Sequence, residues 1–259
     1  MIPGINESDL IYDFDHNARN LRDKVSLPET KIRSYLRIFE SNRYKTKNCL
    51  ILEAITEKYE NILAAIYDAF SPEEARLILN FGYFAGGCFA SMFHQETVND
   101  YDLYFSNRAV AHHFFEKFRN SESPTYVGKT YTIESSSVTD RAITLFVYMT
   151  GSTNHPIRLQ LITKYVGTPE EVTSGFDFVH CMSYFKWDRG LVLQEEAISF
   201  RQLIFNKNAV TPLNSIMRIH KLCSRGWHIK GEEILKLGES ISRLNFKDSE
   251  LMNSISFYY

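Results

Sequence analysis

The stretch "GYFAGGCFASMFHQETVNDYDLYF", residues 82–105, constrains the fold more than any other part of the chain. Aromatic "GYFA" has the composition of a short buried strand, the pair Gly86–Gly87 that of a tight turn, and "CFASMFHQ" that of a helix. "NDYDLYF" is again rich in the aromatic and aliphatic residues of a strand. Side chains alternate along a strand, so Asp100 and Asp102 share one face, about 7 Å apart at a rise of roughly 3.3 Å per residue. A helix N-terminus after two glycines offers bare N–H groups to an anion, and two carboxylates on one face can hold a divalent cation. The competing reading is a strand edge with two solvated aspartates and a glycine loop. Order and spacing, more than either motif alone, favour the chemical reading.

The surrounding chain supplies a scaffold. Helical periodicity runs from Ser26 to Phe70, first in "LPETKIRSYLRIFESNRY" and then in "NCLILEAITEKYENILAAIYDAF", which carries Leu50, Ile51, Ala54, Ile55, Tyr59, Ile62, Leu63, Ile66 and Tyr67 on an apolar stripe. "SPEEARLILNFG" predicts a helix with Ser71 as N-cap, Pro72 at its first position and Glu74 completing a capping box. "RAVAHHFFEKFRN" is an amphipathic helix, and "SESPTY" a turn-rich loop. Strands follow in "KTYTIESSS", "RAITLFVYMT" and, after the turn "GSTNH", in "PIRLQLITKY". "GTPEEVTSG" predicts a short helix capped by Thr168 and stopped near Gly175, and "FDFVHCMSYF" a further strand. From "LQEEAISFRQLIFNKN" through "SIMRIHKLCSRGWHIKGEEILKLGESI" the periodicity is helical. Helices, then a mixed sheet, then helices make an α+β plan, with a helical layer over residues 1–70, a core over 71–206 and a C-terminal helical region over 207–259.

Composition excludes several classes. With 259 residues and 44% hydrophobic side chains the chain can bury a full core. Its formal charge of −2 argues against a generally basic nucleic-acid binder, so any polyanion site is a local patch. Cys49, Cys88, Cys181 and Cys223 form no cluster with metal-ligand spacing and read as reduced thiols. No apolar run approaches the roughly 20 residues of a membrane helix, and the polar, acidic N-terminus is unlike a secretory signal. The expectation is a soluble cytoplasmic protein with no membrane partner.

A hydrophobic residue, Gly-Gly, about ten residues and then Asp-hydrophobic-Asp-hydrophobic resembles the signature of the nucleotidyltransferase superfamily of the DNA polymerase beta type, matched here by Gly86, Gly87, Asp100 and Asp102. "IRLQLI", "GTPEEVTSG", "FDFVHC" and "RIHKLCSRGW" are similar to a divergent branch found in phages, large DNA viruses and some eukaryotic multidomain proteins. The resemblance implies a mixed-sheet nucleotidyltransferase core flanked by helices. It also implies that Gly86, Gly87 and the helix beginning at Cys88 contact the triphosphate of an NTP, and that Asp100 and Asp102 bind Mg²⁺ or Mn²⁺. The family's third carboxylate has no acid on the strand "IRLQLI", which offers Arg158, Gln160 and Ile162 instead. Asp177 is the best substitute and Glu134 a weaker one. The implied reaction moves a nucleoside monophosphate to a hydroxyl, with RNA, such as a tRNA 3′ end, as a possible acceptor. A protein-modifying, toxin-like NMP transfer and a degenerate nucleotide-binding module are the alternatives.

Other candidates divide between functional and structural roles. Asp177, a lone acid between two phenylalanines, is costly to bury unpaired, so it takes a cation or an arginine, Arg158 or Arg141. Arg158 and Gln160 face either the nucleotide or the solvated side of the sheet. Arg218, Lys221 and Arg225 either aim at the cleft or form a solvent face. His94 and His180 are proton carriers or hydrogen-bonded core residues.

Overall fold

The computed structural model describes residues 3–10, 42–121, 125–149 and 156–245. The helix expected over 26–41 and the turn at 151–155 lie outside the described residues. Helix α1 (Asn42–Ala69) lays Ile51, Ile55, Tyr59, Ile62, Leu63 and Ile66 against the sheet at a spacing of three and four, while Leu50 and Ala54 of the expected stripe face out. Helix α2 (Pro72–Phe81) follows with its proline in the first turn, and the Ser71 side chain accepts from the Glu74 N–H at 3.3 Å. The capping box is only half made. Glu74 turns its carboxylate to the Ser71 hydroxyl and to Lys117, 2.7 Å away, because a nearly buried acid needs a cation.

From α2 the chain enters β1 (Gly82–Ala85), then helix α3 (Cys88–Phe93), β2 (Tyr101–Phe105) and helix α4 (Arg108–Arg119). Three antiparallel strands extend the sheet, β3 (Thr125–Val127), β4 (Tyr131–Val138) and β5 (Ala142–Met149), and β6 (Ile157–Val166) returns beside β2. Helix α5 (Pro169–Thr173), strands β7 (Tyr184–Lys186) and β8 (Gly190–Val192), and helix α6 (Glu195–Ser199) come next. Strand β9 (Gln202–Leu203), helix α7 (Pro212–Cys223), strand β10 (His228–Ile229) and helix α8 (Gly231–Ser242) complete the described chain. The main sheet has the order β3-β4-β5-β6-β2-β1-β7-β8, antiparallel except where β2 and β6 run parallel. This is the expected mixed sheet with flanking helices. Register sets Asp102 between Ala85 on β1 and Gln160 on β6, in the middle of the sheet.

Two local expectations are corrected. "FDFVHCMSYF" is not one strand: Phe178 makes an isolated bridge with Phe205, and Val179–Met182 then coil into a 3₁₀ turn before β7 begins at Tyr184. The coil buries Phe178 and tucks the His180 ring against Trp227, with centroids 4.1 Å apart, and this packing outweighs strand propensity. "LQEEAISFRQLIFNKN" is helical only to Ser199. Arg201 adopts a positive φ of 49° and the chain passes into β9, which pairs in parallel with β10. One apolar cluster runs from Ile51 in α1 through Phe84, Leu103 and Leu161 of the sheet to Leu237 in α8. No helix of the described residues is long and apolar enough to cross a membrane.

Candidate functional site

The ends of β1, β2 and β6 open into a cleft of about 570 Å³ whose walls include Gly86, Gly87, Cys88, Asp100, Asp102, Arg158, Asp177, Arg218 and Lys221. Of the residues singled out from the sequence for binding or chemistry, Gln160, Glu134 and His94 are not in the wall of this cleft. Gln160 reaches the same group by donating from Nε2 to Asp100 Oδ2 at 3.3 Å. Arg158 and Gln160 therefore turn to the cleft and not to the solvated side. Glu134, the weaker candidate for a third acid, lies on β4, where its carboxylate accepts from the Tyr148 hydroxyl at 3.2 Å.

Gly86 is required by its conformation. It has φ of +104°, its N–H donates to Ser183 O at 3.2 Å, and a Cβ there would stand 3.3 Å from Asp102 Oδ2. The missing side chain makes room for the carboxylate. Gly87 differs: as the N-cap of α3 it has an ordinary φ of −74°, and a Cβ would meet nothing within 4 Å. Gly87 itself lines the cleft.

The electrostatics centre on Asp102. Burial, then the nearby charge of Asp100, pushes its carboxyl up to about 7, against the opposing pull of Arg218 and Arg158. Neither Asp100 nor Asp102 makes an ion pair within 4 Å among the described residues, and the two arginines act on Asp102 only through their charge. Among the described residues no group of three His, Cys, Asp or Glu side chains is arranged to hold a metal ion. Asp177, the expected third acid, is 4% exposed and accepts from Arg218 Nη1 at 2.9 Å. Its partner is Arg218 of α7, neither of the two arginines expected from the sequence.

The histidines resolve toward packing. His94 Nε2 lies 2.8 Å from Ile198 O, with its ring edge-on to Trp227. Burial, helped by Arg218, drives His180 down to about 3, so it is a neutral imidazole at ordinary pH. Glu96, Tyr165 and Thr211 also line the cleft and carried no signal in the sequence, and Trp227, the aromatic end of "RIHKLCSRGW", lines it too. Glu96 is drawn in by Arg201, 2.6 Å away, a long-range pair that no local motif announces.

A family model described as "Gabija anti-defense 2 family protein" matches residues 53–203, more than half of the chain and all of the sheet that carries the cleft. The chain belongs to the Gabija anti-defense 2 family. A family relative from Bacillus phage SPbetaL7, "Gabija anti-defense 2", is 30% identical over 158 residues, 59% of this chain and 35% of that protein. The chain thus spans about a third of the length of the curated relative it matches. Among solved structures it is similar to a CCA-adding enzyme in its apo form, with a TM-score of 0.50, 14% identity, and 74% of this chain and 44% of that chain covered. The Thermotoga maritima CCA-adding enzyme complexed with tRNA gives 0.49 and 14%, over 75% of this chain and 45% of that one. At such identities the likeness is one of fold alone.

Proposed function

We propose that this family member is a metal-dependent nucleotidyltransferase that moves a nucleoside monophosphate from an NTP to a hydroxyl of an acceptor, in the service of phage counter-defence. The observation that carries the reading is the meeting of Asp100, Asp102, Gly86 and Gly87 with Arg158, Arg218 and Lys221 in one cleft of nucleotide size. The donor set suits Mg²⁺ or Mn²⁺: a hard, small cation takes one or two carboxylates and completes its shell with phosphate oxygens and water. When bound, such an ion neutralises charge on the triphosphate and on the attacking oxygen. The protein's own part is positioning and charge complementarity. Gln160 orients Asp100, Gly86 leaves space for Asp102, and the arginines and lysine bind the phosphate oxygens while the acceptor oxygen bonds to the α-phosphorus and pyrophosphate leaves.

RNA is the acceptor we favour. Arg218 and Lys221 of α7 line the same cleft, where they can meet the phosphates of a polynucleotide as well as those of the nucleotide. The counter-defence role rests on the relative's name. A second reading, a nucleotide-binding module without transfer, is favoured by one specific observation: the acid expected to complete the metal site is paired with Arg218.

Incubating the protein with each α-labelled NTP, Mg²⁺ or Mn²⁺, total RNA and cell extract separates these readings. Label should pass to RNA and be lost in Asp100→Asn/Asp102→Asn. Label on protein would move the acceptor to a polypeptide. Tight NTP binding with no transfer under any condition would establish the binding module, and transfer retained by the double variant would refute the site.

A further inference from the structure

Asp177 and Arg218 form an ion pair of unequal halves. The carboxylate is 4% exposed, while the Arg218 side chain is 54% exposed. Asp177 Oδ2 accepts from Arg218 Nη1, and the buried Oδ1 has no hydrogen-bond partner among the described residues. A dry, lone carboxylate is costly, so the acid holds its one cation firmly. A guanidinium has five donors in a fixed fork, and a single bond to Asp177 leaves most of them for the cleft.

Arg218 stands among the site's polar groups. Its charge acts on Asp102, Tyr104, His180 and Cys181 as well as on Asp177. On α7 it lies three residues from Lys221, with Arg225 just beyond the helix end, and all three line the cleft. The helix is tied to the core through this pair. A carboxylate committed to a guanidinium is not available as a ligand, in keeping with the absence of a three-acid group among the described residues.

We infer that Asp177 is a positioning residue: it fixes Arg218, and with it the basic side of α7, against the phosphates of the bound nucleotide, and it does not ligate the metal. The inference rests on the nucleotide-binding reading above and replaces the expectation that Asp177 is the third metal ligand. It makes the metal site one of two carboxylates, completed by phosphate.

The test uses the full chain and two binding measurements. Electron paramagnetic resonance counts bound Mn²⁺ without nucleotide, and calorimetry gives the affinity for the NTP that the wild type binds. Asp177→Asn and Arg218→Gln should each weaken NTP binding by roughly tenfold, the weight of one charge-assisted hydrogen bond. The double variant should be no weaker than either single one. Mn²⁺ binding should be unchanged in all three and lost in Asp102→Asn. Loss of Mn²⁺ from Asp177→Asn, or additive losses of NTP affinity, would overturn the inference alone. A wild type that binds no NTP would instead remove the reading on which it rests, and the inference with it. Should Asp177→Asn fail to fold, Arg218→Gln decides: NTP affinity equal to wild type would refute the clamp.

Discussion

Asp102 lies at the centre of the proposed site, and its environment makes a prediction about pH. The ordinary carboxyl value of 3.8 is raised to about 7 by burial and by Asp100. Between those two values the folded protein holds a proton that the unfolded chain releases. Asp102 therefore stabilises the fold below about 4, and that contribution is lost as pH rises through about 7. Metal-free protein should lose unfolding free energy over this window, and Asp102→Asn should flatten the decline. Added Mg²⁺ should raise the melting temperature more at pH 8 than at pH 5.5, because only the ionised carboxylate binds it. The two glycines make a paired prediction. Gly86→Ala places a side chain at a φ of +104° and against Asp102, and should cost roughly 1–3 kcal/mol in denaturant unfolding. Gly87→Ala meets open space, so stability should hold while NTP affinity falls. Both glycines were legible as a pair in the sequence, but their different duties were not. φ and the distance to a carboxylate from another strand are tertiary facts.

At the scale of elements, legibility followed locality. Helix α5 was readable because its start signal is contained in the four residues Thr168–Glu171: the Thr168 hydroxyl accepts from the Glu171 N–H at 3.3 Å, and the Glu171 carboxylate accepts from the Thr168 N–H at 2.8 Å. Thr168→Ala should cost about 1 kcal/mol, measurable by chemical denaturation. "FDFVHC" misled because its alternation of Phe176, Phe178 and His180 has the period of a strand, whereas the contact that fixes it is with Trp227, some fifty positions further on. Helix α1 shows the same limit from the other side. Its apolar stripe was plain, but nothing local indicated that the Tyr59 hydroxyl donates to Ile78 O at 2.8 Å and reaches Gly82 O at 3.3 Å, tying α1 to the junction of α2 and β1. Tyr59→Phe should leave those carbonyls short of a donor and cost roughly 1–2 kcal/mol with the fold retained. Circular dichroism together with the unfolding midpoint checks both halves of that statement.

Across the whole molecule, the apolar cluster that joins α1, the sheet and α8 implies one cooperative unit. Leu237→Ala, at a 4% exposed position of α8, should destabilise by about 2–4 kcal/mol. Far-ultraviolet circular dichroism and tryptophan fluorescence should still give one coincident transition. Two separate transitions would mean that the C-terminal helices melt alone. The order of helices and strands and the pairing of Gly-Gly with Asp-x-Asp could be read from sequence because each is local. The meeting of Arg158, Gln160 and Arg218 around them depends on β6 running parallel to β2 and on α7 folding back, which no stretch of the chain states by itself. That convergence underlies the claim of nucleotidyl transfer. It is tested most directly by following α-labelled and γ-labelled NTP side by side with RNA and Mg²⁺. The account predicts that the α-label enters RNA, that the γ-label leaves as pyrophosphate, and that Asp100→Asn/Asp102→Asn abolishes both. Entry of the γ-label into the acceptor, or α-label incorporation that survives the double substitution, would contradict it.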